Sequence, residues 1–138
     1  MSFYKPEKLP KLMVAPNGAR KVKKDHPAVP LTISETVETA KSCYKAGAGA
    51  IHLHVRDQEG LHVLDAGLYK EALNELEHQV PNMHIQVTTE AVGKYSPADM
   101  RKLAYDVTPP GASIGTSELI PSRNPENEDI KLYKYLTE

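Results

Sequence analysis

Four short apolar runs alternate along the chain with four segments whose apolar residues recur at helical spacing. Leu12-Met13-Val14-Ala15 reads as a first strand, stopped by the turn residues Pro16-Asn17-Gly18. Thr32-Ile33-Ser34-Glu35 has the T-x-x-E form of a capping box, in which each side chain satisfies the other residue's free N–H. The helix it opens carries Val37, Ala40 and Tyr44 on one face and ends at Gly47, because glycine enters a left-handed C-terminal turn without a Cβ clash. Ala50-Ile51-His52-Leu53-His54-Val55 is the second strand. Asp65 precedes a helix with Leu68, Ala72, Leu73 and Leu76 that runs to about His78, ahead of Pro81. His84 to Thr89 is the third strand. Ser96-Pro97-Ala98-Asp99 supplies an N-cap, a proline at the first helical position and an acid in the first turn. Ala112-Ser113-Ile114-Gly115 is the fourth strand. A polar loop from Pro121 to Asn127 leads into a last helix from about Glu128.

The strands start at residues 12, 50, 84 and 112, intervals of 38, 34 and 28 residues that suit βα units in a parallel sheet. Such sheets are covered on both faces, as open doubly wound folds or as closed barrels. No G-x-G-x-x-G follows the first strand, so nothing favours the dinucleotide-binding form. A barrel needs eight units in about 250 residues. The expected fold is therefore α/β, a parallel (β/α)8 TIM barrel of which residues 1–138 supply the first four units, the N-terminal half of one domain. The last helix, with Ile130, Leu132, Tyr133 and Leu136, runs to the end of the sequence and fits that count. A half barrel has two open edges and an uncovered interior, expected to be apolar, which predicts a homo-oligomer rather than a lone monomer.

Charge changes the picture only by exclusion. With 17 basic and 18 acidic residues the formal net charge is −1, which gives no footprint for nucleic acid or an anionic membrane. Lys21, Lys23 and Lys24 form the one basic cluster, read as a solvated loop. No apolar stretch approaches the ~20 residues of a membrane span. Lys5, Glu7 and Lys8 precede any apolar run, unlike a signal peptide. Cys43 is the only cysteine, which fits a reducing, cytoplasmic setting.

The chemistry lies in the second strand. His52 and His54 are two residues apart, so both imidazoles project from one face. Ile51, Leu53 and Val55 alternate with them and must pack against helices, which turns the histidines inward near the strand's C-terminal end, where barrel enzymes hold their sites. An inward imidazole with no partner is a buried polar group left unsatisfied, at roughly 1–3 kcal/mol. A metal that accepts imidazole nitrogen, zinc above all, resolves this for both. The plainer alternative is two histidines bonded to carbonyls or water on an exposed strand. His62 and His78 are expected at the surface, His84 lies at the wrong end of its strand, and His26, before Pro27, reads as a loop residue.

Four blocks in order carry a family resemblance. They are Ala15-Pro16-Asn17-Gly18-Ala19-Arg20, then His26-Pro27-Ala28-Val29-Pro30-Leu31-Thr32, then Ala46-Gly47-Ala48 with His52-Leu53-His54-Val55-Arg56-Asp57, and Gln86-Val87-Thr88-Thr89-Glu90-Ala91-Val92-Gly93. From about Leu12 to Pro121 the chain resembles the β-keto acid cleavage enzymes, the family of 3-keto-5-aminohexanoate cleavage enzyme. The resemblance implies a zinc-dependent TIM-barrel acyltransferase that condenses a β-keto acid with acetyl-CoA and releases acetoacetate and a new acyl-CoA. It implies His52 and His54 as zinc ligands and Thr88 and Ser113 as substrate-binding hydroxyls. The third ligand, a glutamate, and the general base with its arginine partner would come from beyond residue 138, so no catalytic base is assigned within the chain.

One departure bears on substrate. The amino-keto-acid member has a glutamate where this chain has Arg20, which would repel an ammonium and favour an anionic or hydrogen-bonding tail. Glu90 shares that rim, as a further site residue or as a structural partner of Arg56 or Arg20. Two other readings remain at this point. One is an amidohydrolase-type metal hydrolase, although there the H-x-H pair belongs to the first strand; the other is a non-catalytic fragment folded against another copy.

Overall fold

Three of the helices begin where a capping side chain stands ready. The computed structural model describes residues 9–137 of the chain, so the expectation for Lys5, Glu7 and Lys8 lies outside the described residues. Strand β1 (Met13–Val14) is followed by α1 (Ile33–Lys45), where Thr32 and Glu35 close both halves of the capping box. Strand β2 (Ala50–Leu53) leads to α2 (Ala66–Gln79), capped by the Asp65 carboxylate on the Leu68 N–H. Strand β3 (His84–Thr88) leads to α3 (Pro97–Val107), where Ser96 and Asp99 form a second capping box. Strand β4 (Ala112–Ser113), a single turn α4 (Thr116–Leu119) and α5 (Asn127–Thr137) follow.

The strands form one parallel sheet in the order β1-β2-β3-β4. That order never reverses among the described residues, so there is no switch point of the kind that marks an open doubly wound sheet. Ile51 pairs with Ile85 and Leu53 with Val87, and partners in a parallel pair share a face. These four, with Val55, pack against Val37 and Ala40 of α1, Leu73 and Leu76 of α2, and Leu103 and Val107 of α3. All three helices therefore lie on one side of the sheet. Tyr69, wholly buried, sits in the same core. A second apolar cluster joins Met100 and Ala104 of α3 to Leu119 and Leu132 of α4 and α5.

The opposite face corrects an expectation. His52 pairs with Gln86 and Thr88 with Ser113, so the face away from the helices is polar rather than apolar, with Met13 its exposed hydrophobic. The observed strands are one or two residues shorter than the apolar runs, because the ladder ends before the run does. The buried stripe of α1 is Ile33, Val37, Ala40 and Cys43; it passes beside Tyr44, which is 38% exposed. Cys43 is free, and no helix among the described residues is long and apolar enough to cross a membrane.

Candidate metal centre at the strand ends

The pairing of β2 with β3 sets the chemistry of His52. Its Nδ1 lies 2.7 Å from Oε1 of Gln86, the residue opposite it in the ladder. An amide oxygen only accepts, so Nδ1 carries the ring hydrogen and Nε2 keeps its lone pair. His54 stands just past the end of β2 on the same face and is 3% exposed. The two Nε2 atoms are 3.1 Å apart, with the rings at 64°. Two nitrogens bound to one tetrahedral zinc at about 2.0–2.1 Å would be about 3.3 Å apart. The spacing and donor type fit two ligands of such an ion; without one, the same contact is a hydrogen bond from one ring to the other.

Burial acts on the protonation of His54. Desolvation first, and then the neighbouring His62, His52 and Arg56, push its pKa down to about 3. It is neutral at pH 7, the form in which imidazole binds metal. The same burial makes the metal-free fold acid-sensitive. Unfolded, this ring titrates near the ordinary value of 6.5. Between about pH 6.5 and 3 the unfolded chain therefore binds the extra proton, and stability falls as pH drops through that window. The denaturation midpoint of metal-free protein should be lower at about pH 5 than at about pH 7.5, by a margin that shrinks in His54→Gln. An identical margin in the variant would assign the acid sensitivity to other groups.

His62 departs from its expected surface place: it is 5% exposed. The Asp57-Gln58-Glu59-Gly60 turn, held by the Asp57 carboxylate on the Glu59 and Leu61 N–H groups, folds the chain back so that Arg56 and His62 form an antiparallel bridge. Gly60 takes the left-handed φ of +80° that this turn needs. The His62 ring then packs against His54 at 5.1 Å, and its Nε2 donates to the Glu90 carbonyl at 2.8 Å. That turn was the signal available in the sequence. Burial, above all, also lowers the His62 pKa. His78 and His84 are exposed, and His26 is a loop residue whose Nδ1 accepts from the Ala28 N–H.

Glu90 pairs with neither Arg56 nor Arg20. Its carboxylate lies 3.9 Å from Nε2 of His54, and its N–H donates to the Thr88 hydroxyl. Among the described residues no group of three His, Cys, Asp or Glu side chains is spaced to hold a metal, so the centre offers two ready donors. Arg56 is buried and fans out over carbonyls instead: Nη1 donates to Gly60, and Nη2 to Gly18 at 2.6 Å, Lys21 at 3.1 Å and Asn17 at 3.4 Å. Asn17 in turn donates to the carbonyls of Pro30 and His54, both at 3.1 Å. The loop after β1 is thereby clamped to the end of the histidine strand.

Arg20 lies in that clamped loop, exposed and without a hydrogen bond or ion pair among the described residues. Thr88 and Ser113 end β3 and β4 on the histidine face, with their hydroxyls 3.4 Å apart and Thr88 2% exposed. Lys21 and Lys23 are solvated, in surface pairs with Asp25 and Glu35.

Residues 11–133 match the model of the family described as beta-keto acid cleavage enzyme. Similar proteins include a 3-keto-5-aminohexanoate cleavage enzyme of Fusobacterium nucleatum, 39% identical over 72 residues, 52% of this chain and 26% of that one. A 3-oxoadipate:acetyl-CoA acetyltransferase of Cupriavidus necator is 31% identical over 117 residues, 84% of this chain and 40% of that one. A 3-keto-5-aminohexanoate cleavage enzyme of Acetoanaerobium sticklandii is 32% identical over 125 residues, 86% of this chain and 45% of that one. The chain spans less than half the length of these relatives. Two solved structures of ObcA share its fold: a ternary complex with a C4-CoA adduct and oxalate (TM-score 0.53, 21% identity, 64% of this chain and 23% of that one) and an apo form (TM-score 0.51, 16% identity, 80% and 29%).

Proposed function

The chain belongs to the β-keto acid cleavage enzyme family, and on that premise we propose that it forms the metal-binding half of a zinc-dependent acyltransferase. In this reading a β-keto acid and acetyl-CoA give acetoacetate and a new acyl-CoA. The observation that carries it is the pair of imidazole nitrogens 3.1 Å apart at the mouth of a parallel strand, one of them held in the metal-binding tautomer by Gln86. His52 and His54 would hold the ion. When bound, zinc supplies a Lewis acid for the charge that develops on a ketone oxygen. Thr88 and Ser113 offer hydroxyls to the substrate from the adjacent strand ends, and Arg20 addresses the far end of the acid. The third ligand and the base belong to sequence beyond residue 138.

The four βα units are read as the first half of a closed (β/α)8 TIM barrel. Support comes from the unreversed strand order and from the polar face that such closure would turn inward. Barrel closure would pair the edges β1 and β4 in the whole protein, so they support homo-oligomeric assembly only of residues 1–138 alone, and the lone Cys43 supports a cytoplasmic setting. The amidohydrolase alternative loses its footing, since the family match is to a different group and the histidine pair lies on β2, not β1.

The test is turnover. The whole protein that carries this chain should release acetoacetate from acetyl-CoA when given 3-oxoadipate or 3-keto-5-aminohexanoate, while residues 1–138 alone should release none. The segment lacks the base and a metal ligand, groups whose combined loss removes most transition-state stabilisation. Turnover by the isolated segment would show that the second half is not needed; none by the whole protein on either acid would remove the proposed reaction.

A further inference from the structure

His62 is a buried histidine to which the proposed reaction gives no task. Its Nε2 lies 2.8 Å from the Glu90 carbonyl oxygen, and a carbonyl only accepts, so Nε2 carries the ring hydrogen. A neutral imidazole has one such hydrogen, which leaves Nδ1 an acceptor. That atom is buried and has no hydrogen-bond partner. His54 presents the converse once zinc replaces the ring-to-ring hydrogen bond. With both Nε2 lone pairs on the ion, the hydrogen of His54 sits on Nδ1, a buried atom that also has no partner. The two rings are neighbours, tilted at 62° with centroids 5.1 Å apart. Each ring nitrogen lies about 1.1 Å from its centroid, so this separation admits a nitrogen–nitrogen approach of about 2.9 Å, inside hydrogen-bond range.

We propose that His62 is the positioning residue of the metal centre: its Nδ1 accepts the Nδ1–H of His54 after a small turn of the rings, and so fixes the tautomer and tilt of that ligand. The inference rests on the reading that His52 and His54 bind zinc. Ligating histidines commonly donate their other N–H to an acceptor, which sets ring orientation and raises ligand basicity. His52 has Gln86 for this purpose; the His52 and Glu90 contacts of His54 are both made by its Nε2, which leaves the neighbouring His62 ring to serve its Nδ1. The anchor for the acceptor is the strand end itself, because the Glu90 carbonyl holds the far side of the His62 ring while the Glu90 N–H is held by Thr88.

The experiment measures zinc affinity of the whole protein by competition with a chromophoric chelator, for wild type, His62→Phe and His62→Gln. Phenylalanine keeps the ring contact and removes the acceptor; the glutamine amide offers a donor to Glu90 and an acceptor to His54. The expected result is zinc binding weakened about 10–100-fold in His62→Phe and largely kept in His62→Gln. Affinity unchanged in His62→Phe, or lost equally in both, would overturn the inference. A second readout needs no variant: nitrogen-15 spectra of the zinc-loaded wild type should show a His54 Nδ1–H protected from exchange, and a rapidly exchanging one overturns it too. A wild type that takes up no zinc removes the metal reading itself, a failure visible before any variant is made.

Discussion

Replacing His52 and His54 together by alanine is expected to strip zinc from the whole protein and to lower kcat/KM by about 10³-fold or more. The magnitude follows from the role proposed for the ion, since a Lewis acid at a developing oxyanion is worth several kcal/mol and each 1.4 kcal/mol is tenfold in rate. Geometry makes the two residues act as a unit. Their Nε2 atoms converge at 3.1 Å, so the loss of either leaves a single imidazole, a weak and poorly directed site. Substitution of Gln86 by leucine should do less. It leaves both donors but frees the tautomer of His52, the kind of change that costs about 10–100-fold in metal affinity. Elemental analysis of purified wild type and double variant gives the decisive number, read beside the thermal midpoint of each metal-free form, because His54 is nearly fully buried. Equal zinc in the two proteins would refute the assignment of the pair as ligands.

Much of this arrangement was legible in the residues, for a physical reason. Strand periodicity is two, so the alternation of Ile51, Leu53 and Val55 with His52 and His54 decides which face meets the helices and which is left for chemistry. The three capping residues Thr32, Asp65 and Ser96 start their helices as read, because a side chain that satisfies free N–H groups is local in sequence. The placement of Thr88 and Ser113 on the same face as His52 follows from the same periodicity and register.

What was not legible depends on contacts between segments far apart in sequence. The partner of His52 is Gln86, 34 residues away, and only the β2–β3 register brings them together. Arg56 appeared to need a carboxylate, yet its two terminal nitrogens donate to four carbonyls, three of them in the loop after β1. Glu90, freed of that duty, faces His54. His62 looked like a surface residue because its neighbours Leu61 and Val63 gave no inward pattern; a four-residue turn, not periodicity, buries it. The single turn α4 is too short to leave a periodic trace.

The whole protein should also prefer a β-keto acid with an anionic or neutral polar far end over one that bears an amine, and Arg20→Glu should shift that preference by about 10²-fold. Position comes first. Arg20 stands between Gly18 and Lys21, whose carbonyls are both bound by Arg56, and Asn17 of the same loop holds the His54 carbonyl. The loop thus rides on the histidine strand, and the Arg20 guanidinium is exposed with no partner among the described residues, free to meet a ligand. A terminal carboxylate could take two parallel N–H bonds from it, whereas an ammonium would meet like charge. A hydrogen bond to a charged group is worth about 1.5–3 kcal/mol. At 1.4 kcal/mol per tenfold, exchanging attraction for repulsion gives the stated shift. The relatives supply the two probes, since this chain is 31% identical to a protein named for 3-oxoadipate and 32% identical to one named for 3-keto-5-aminohexanoate. The measurement is kcat/KM for both acids on wild type and Arg20→Glu, with zinc content determined alongside. Zinc should not change, because the side chain makes no contact with His52 or His54. If the ratio between the two acids is the same in both proteins, Arg20 faces solvent during turnover and specificity is set elsewhere on the rim.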